Sequence, residues 1–307
     1  AVILKKINYL FVDGRYTIQA EIESGKNFKI VDYKKIVDCN LFKNLTLGID
    51  PRLFTSLQIN KYFSKNNKIR LIQSNLIDEI SKKKNGVSKP FFSIKSNIVG
   101  ESYRSKINKI KNFLKKNKSD WIFISAPENV AWVLNIRGYD NPNSPIPNCH
   151  LLIGNHKMYL ITKSKNQYNL KKKKKFNYNQ IIDPKNFENL IEKIIGKKII
   201  IDIKSCSYFY ENILAKKFSL LKKDDPIYLL KSIKNISEIN NMIKSHIFDG
   251  VALTKFLYWI KNVNKNKISE FDAQNKLEFF RKKNKKYLYP SFNTISGTGA
   301  NGAIIHY

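Results

Sequence analysis

The chain has 307 residues, 42% of them hydrophobic, and a formal charge of +32. That is enough apolar material for two or three packed domains, and no apolar run approaches the roughly 18 residues of a membrane span. Fifty lysines stand against six arginines, scattered except for the run at 171–175, so the charge reads as a solvated, compositionally biased surface and not as a nucleic-acid footprint. Cys39, Cys149 and Cys206 are odd in number and form no CxxC, which fits a reducing, cytoplasmic setting and no structural zinc. The chain opens at Ala1 without a signal-peptide layout, and its natural start is expected upstream.

Short β-rich runs at 2–4 and 9–12 lead into the turn signal Asp13-Gly14-Arg15-Tyr16. Residues 17–22 continue as an extended or helical piece. Residues 47–51 read as a strand ending in a turn, because the residue before proline avoids the α region. A helix over 56–63 and a strand over 69–72 follow. Alternating strand and helix signals make 1–88 an α/β domain. Residues 81–90, with Gly86 and Pro90 as breakers, form a linker.

A second α/β domain is expected over 98–223. Ile107, Ile110 and Leu114 mark an amphipathic helix over 102–117. Residues 121–125 are a buried strand and 129–134 a short helix. Residues 135–140 turn into a loop carrying Pro142, Pro145 and Pro147. A hairpin crosses Gly154-Asn155, and 197–202 is another strand.

Residues 221–226 mark the second boundary, and a third unit is expected over 225–307. Asn235 caps a helix with Glu238 three residues on, and Ile239, Met242, Ile243, His246, Ile247 and Val251 share one face of it. Ser269 and Asp272 open another helix, with Leu277 and Phe280 on its inner face. After a hinge at Tyr289-Pro290 comes the closing stretch SFNTISGTGANGAIIHY, residues 291–307. Gly297, Gly299 and Gly302 give it a pliant loop, Ala303-Ile304-Ile305 reads as a short buried strand, and His306 tips that strand as the candidate catalytic imidazole.

The other histidines carry less. His156 falls in a hairpin turn and is expected in solvent, His246 is expected as a hydrogen-bonded core histidine, and the position of His150 before a strand says little. None belongs to a metal-ligand spacing. The G-x-G-x-x-G spacing from Gly297 precedes a strand and opens no helix, which rules out a dinucleotide site. Arg15 and Arg137 each sit beside glycine in turns where a planar fork serves and an ammonium would not. Each is either an intramolecular clamp on a carboxylate or carbonyl, with Asp140 a local partner for Arg137, or a contact to a substrate carboxylate or partner subunit.

Three stretches together resemble the three-domain Xaa-Pro aminopeptidases (aminopeptidase P) of the creatinase/prolidase superfamily of pita-bread metallopeptidases. They are Val12-Asp13-Gly14-Arg15-Tyr16, then Ala131-Trp132-Val133-Leu134-Asn135-Ile136-Arg137-Gly138-Tyr139-Asp140 with Pro142, then residues 291–307. Leu230 to Asn235 with Glu238, and His246 to Asp249 with Trp259, look like the entry to the catalytic domain. The resemblance implies two creatinase-N-like mixed-sheet domains followed by the start of a pita-bread domain, in a cytoplasmic homodimer. It implies release of the N-terminal residue from peptides with proline second, by a water bridging two divalent metals, usually manganese. His306 matches the family's active-site histidine, which hydrogen-bonds substrate or assists proton movement. The family's metal ligands, two Asp, one His and two Glu, lie beyond the equivalent of Tyr307, so no metal ligand is assigned in this chain. The chain is therefore expected to be an inactive portion of a longer enzyme. The alternatives are a non-catalytic dimerisation or binding relative, and a basic nucleic-acid-binding protein, which the lack of clustered arginine disfavours.

Overall fold

A computed structural model describes residues 1–36, 42–81, 89–163 and 176–305. Cys39, most of the expected linker, the lysine run and His306 lie outside these residues. The chain groups into two units, residues 1–50, 56–75 and 295–307 in one and residues 51–55 and 76–294 in the other.

In the first unit the two opening apolar runs become β1 (Val2–Ile3) and β2 (Asn8–Val12), paired antiparallel. The residues after the turn are helical, α1 (Thr17–Ser24), and return the chain to β3 (Lys29–Asp32), parallel to β2. A parallel pair requires such a crossover. The turn itself is a 3-10 turn, Gly14–Tyr16, capped by Asp13, whose Oδ1 accepts from Arg15 N at 3.0 Å and Arg15 Nε at 2.8 Å. Arg15 is thus a clamp on a carboxylate two residues away. The same crossover logic joins β4 (Thr46–Ile49), α2 (Ser56–Tyr62) and β5 (Lys68–Leu71), with β4 and β5 parallel.

The second unit runs α3 (Leu76–Ile80), β6 (Phe92–Ser93), α4 (Ser96–Val99), α5 (Tyr103–Lys116), β7 (Trp121–Ile124), α6 (Pro127–Leu134) and β8 (Ile136–Arg137). It continues through β9 (His150–Gly154), β10 (Met158–Ile161), β11 (Ile181–Ile182), α7 (Phe187–Lys193), β12 (Lys198–Ile201), α8 (Tyr208–Ala215) and β13 (Ser219–Lys222). Three helices close it: α9 (Pro226–Ser232), α10 (Ile236–Asn262) and α11 (Glu270–Lys282).

Its six-stranded sheet has the order β11-β10-β9-β7-β12-β13. β7, β12 and β13 are parallel, and β9 is antiparallel to both β7 and β10. The central strands are buried on both faces, which is why they read as unbroken apolar runs. Successive side chains alternate between faces. Ile122, Ile124 and Ile200 pack with Ile110 and Leu114 of α5 and Val130 and Val133 of α6. Trp121, Phe123, Ile199 and Ile201 pack on the other side with Phe187 and Ile191 of α7 and Leu214 of α8. Each large apolar side chain so buried contributes about 1.5–3 kcal/mol.

The expected boundary at 221–226 falls on the last strand and on Asp225, the N-cap of α9. Asp225 is buried and accepts from Asn129 Nδ2 at 2.7 Å and Ile227 N at 2.9 Å, tying α9 to α6. The 27 residues of α10 start at the expected capping box, with Asn235 Oδ1 accepting from Glu238 N and Glu238 Oε2 from Asn235 N, each at 3.0 Å. Ser269 and Asp272 form the second box, opening α11.

Two expectations are corrected. His246 is exposed, not a core histidine, and so are its apolar neighbours Ile243 and Ile247, at 54% and 59%. Among the described residues nothing covers this face of α10. Nor do residues 303–305 form a buried strand. Gly299–Ala303 is a 3-10 turn, and Ile304 and Ile305 beyond it are half exposed. Among the described residues no strand pairs with this stretch, and an unpaired strand leaves its ladder groups unsatisfied.

Candidate functional site

Arg137 sits where α6 ends, and that ending is built by Asn135. Asn135 takes the left-handed conformation (φ 50°) at the C-cap, which asparagine tolerates better than most residues. Its buried side chain is used on both sides: Nδ2 donates to Glu101 O at 2.8 Å, and Oδ1 accepts from Lys106 Nζ at 2.8 Å. Lys106 comes from α5, on the same stripe as Ile107, Ile110 and Leu114. Its ammonium also donates to Trp132 O at 3.0 Å and lies 3.9 Å from the centroid of the Trp132 ring. Burial pulls its pKa down to about 8, against the pull of Glu238 and Glu101, which favour the charge, while Arg137 opposes it.

Trp132 in turn reaches α10, its Nε1 donating to Glu238 Oε1 at 3.4 Å. Glu238 is therefore shared between its own capping box and the end of α6. Asn235 adds a second tie, Nδ2 donating to Val99 O at 2.8 Å. Gly100 permits it: it ends α4 at φ +69°, and a Cβ there would stand 2.3 Å from Asn235 Oδ1.

Arg137 itself is turned inward. Its Nη1 donates to Ile136 O at 2.8 Å and to Ala131 O at 3.3 Å, and burial lowers its pKa while Glu238 raises it. Asp140 is not its partner. That carboxylate accepts from Lys89 N at 2.9 Å and Asn148 N at 2.8 Å, and so holds the proline-rich loop.

The loop after Arg137 meets the start of the closing stretch. Asn143 Nδ2 donates to Asn293 Oδ1 at 2.8 Å, and the Tyr139 and Tyr289 rings lie 6.3 Å apart. The loop that follows the second motif stretch and the start of the third, 150 residues apart at this contact, are thus adjacent. The helices α10 and α11 pack as a pair, pinned by the Arg281 fork on Asp249 at 2.6 and 3.1 Å. A groove of about 730 Å³ runs along the pair between Tyr258, Trp259, Lys276 and Phe280. His246 points its Nδ1 at Met242 O, 2.9 Å away on its own helix.

Of the two site residues expected from sequence, Arg137 is placed here and His306 lies outside the described residues. Sequence reasoning missed Lys106, although a lysine four residues before Ile110 on an apolar stripe was a usable signal. It also gave no weight to His150, which is packed among aromatic rings at the start of β9. Among the described residues no group of three or more His, Cys, Asp or Glu side chains is placed to hold a metal ion. The described donor set does not fit a dinuclear centre. Among them, too, no helix is long and apolar enough to cross a membrane.

A family model for the Creatinase/Prolidase N-terminal domain matches residues 81–238, and one for metallopeptidase family M24 matches residues 240–307. Xaa-Pro aminopeptidase 1 of Dictyostelium discoideum is 32% identical over 338 residues, covering 97% of this chain and 52% of that protein. Xaa-Pro aminopeptidase ApepP of Drosophila melanogaster is 32% identical over 328 residues, covering 100% of this chain and 53% of its own length. The fold is similar to that of the X-prolyl aminopeptidase from Caenorhabditis elegans, described as a cytosolic enzyme with a di-nuclear active site. The TM-score is 0.79 at 21% identity, over 94% of this chain and 51% of that one. The chain spans about half the length of the curated relatives it matches.

Proposed function

The chain belongs to the creatinase/prolidase family, and on that premise we propose that it forms part of an Xaa-Pro aminopeptidase, a metal-dependent exopeptidase that removes the N-terminal residue from peptides with proline second. The observation that carries this reading is the meeting of the Arg137 loop with the closing stretch through Asn143 and Asn293. Two motifs far apart in sequence and adjacent in space are what a shared site demands. In this reading residues 1–88 and 98–223 are the two N-terminal domains, and 225–307 begin the catalytic one. His306 hydrogen-bonds substrate or assists its proton movement. Arg137 secures the loop bordering the site, and a direct contact to the substrate carboxylate is the stronger form of its role.

Two divalent metals, manganese by preference, supply a bridging water of lowered pKa in such an enzyme. The described residues bring no donor set for them together. In this reading the 307-residue chain alone is inactive, and the complete enzyme is a cytoplasmic homodimer that binds neither nucleic acid nor membrane. The test is Mn²⁺-dependent release of the first residue from an Xaa-Pro peptide, by this chain and by the product of the complete reading frame. Activity only in the complete product supports the proposal. A complete product that neither binds manganese nor cleaves would leave a binding relative as the better account.

A further inference from the structure

A trough of about 1000 Å³ opens on the sheet face that α7 and α8 cover. Three segments wall it: α7 with Asn189 and Leu190, the β9–β10 turn with Asn155, and β11 with Ile181, followed by Asp183. Its floor is apolar and fixed. Trp121 lies close under the turn, where a Cβ on Gly154 would stand 2.7 Å from its ring, and its Nε1 donates to Ile195 O at 2.8 Å. The half-buried Tyr159 ring lies 6.1 Å from that of Trp121, with the planes 36° apart, and Leu190 and Ile194 belong to the same apolar cluster.

The polar groups stand round this floor with hydrogen-bonding capacity unspent. Asn155 Oδ1 is buried and has no donor, a state that costs stability until a partner reaches it. Its Nδ2 is uncommitted too, and the soft χ2 of asparagine can turn either end of the amide toward an occupant. Asn189 is exposed on α7 and makes no side-chain hydrogen bond among the described residues. Asp120 uses Oδ2 for Lys197 N and Lys198 N, at 2.7 and 2.9 Å. Those backbone bonds hold its carboxyl below the usual range, so Oδ1 remains an anionic acceptor. Asp120 and Asp183 are matched in the lining by Lys157 and Lys193, so the trough favours neither sign of ligand.

An apolar floor ringed by carboxamides and a carboxylate suits a pyranose, whose C–H face is apolar and whose hydroxyls, each donor and acceptor, radiate from its edge. A flat nucleobase crowds its polar groups along an edge or two, whereas here they come from separate segments around the floor. We propose that this trough binds a neutral oligosaccharide, one sugar ring stacked on Tyr159 and its hydroxyls meeting the amides of Asn155 and Asn189 and Asp120 Oδ1. The site is independent of the peptidase reading.

Its test uses the 307-residue chain labelled with ¹⁵N at tryptophan, the Trp121 indole resonance being assigned by its loss in Trp121→Phe. Maltotriose, cellotriose, chitotriose and mannotriose are titrated to millimolar concentration, with adenosine as the planar comparator, and the binding heat is followed alongside. Saturable binding of at least one trisaccharide that shifts the Trp121 indole is expected, with adenosine at least tenfold weaker. Neither Asn155 nor Asn189 bonds to other described side chains or backbone, so the double variant Asn155→Ala, Asn189→Ala should unfold at the wild-type temperature and bind that trisaccharide at least tenfold more weakly. Three results would each overturn the proposal: no indole shift with any trisaccharide, full affinity in the double variant, or adenosine binding as tightly as the best trisaccharide, which would make this a nucleobase site.

Discussion

Lys106 is a charge held among apolar groups by two acceptors and one aromatic face. Its folded pKa of about 8 stands below the ordinary 10.5. Between those values the unfolded chain binds more protons than the folded one, so this lysine makes stability rise with pH across that window and leaves it flat below. Urea unfolding at a series of pH values should show that rise in the wild type and lose it in Lys106→Met. Arg137 invites a different substitution. Its guanidinium spans two carbonyls, a reach an ammonium cannot reproduce. Arg137→Lys should cost about 1 kcal/mol of stability. Carried into the product of the complete reading frame, it should leave KM unchanged if the arginine acts as a clamp. A large rise in KM without loss of stability would instead make it a substrate contact.

Among the elements, the start of α10 is the most constrained. Gly100→Ala would force a Cβ into Asn235 and hold alanine at a left-handed φ. A loss of about 2 kcal/mol is expected, against about 1 kcal/mol for Asn235→Ala, which removes the cap and the bond to Val99 O but introduces no clash. Equal and negligible losses in urea unfolding would mean that this junction does not hold α10. Both capping boxes were legible in the sequence because they need only two side-chain types at one spacing. The strands β7 and β12 were legible for a similar reason, since unbroken apolar runs of four and three residues leave few alternatives. His246 was misplaced because a periodic apolar face shows which residues share a side, not whether anything covers it. The strand expected at 303–305 failed because its formation depends on a neighbour. The aromatic setting of His150 was illegible because it is assembled from separate segments, with Phe123 on β7 and Tyr210 on α8.

At the scale of the molecule, the uncovered face of α10 governs behaviour in solution. Met242, Ile243, Ile247 and Val251 are each at least half exposed, a contiguous apolar stripe of the kind monomeric proteins rarely leave open. Sedimentation should show concentration-dependent self-association of the 307-residue chain, relieved by Ile243→Lys with Ile247→Glu. A strictly monomeric wild type would mean that the stripe is too small to matter.

The strand order of the large sheet bears on how the chain acquires its structure. β9 pairs with β10 across a turn of a few residues, but β7 must wait for β12, where Trp121 meets Ile199. As the polypeptide emerges from the ribosome, β7 can zip one flank to β9 once residues 150–154 are made, while its other flank stays bare until residues 198–201 follow. Closing that long loop carries the entropic cost that slows non-local pairing. The hairpin is then the early template, and β12 with β13 the late addition that seals it. Throughout that interval the bare flank of β7 is an aggregation-prone edge that a holdase would have reason to shield.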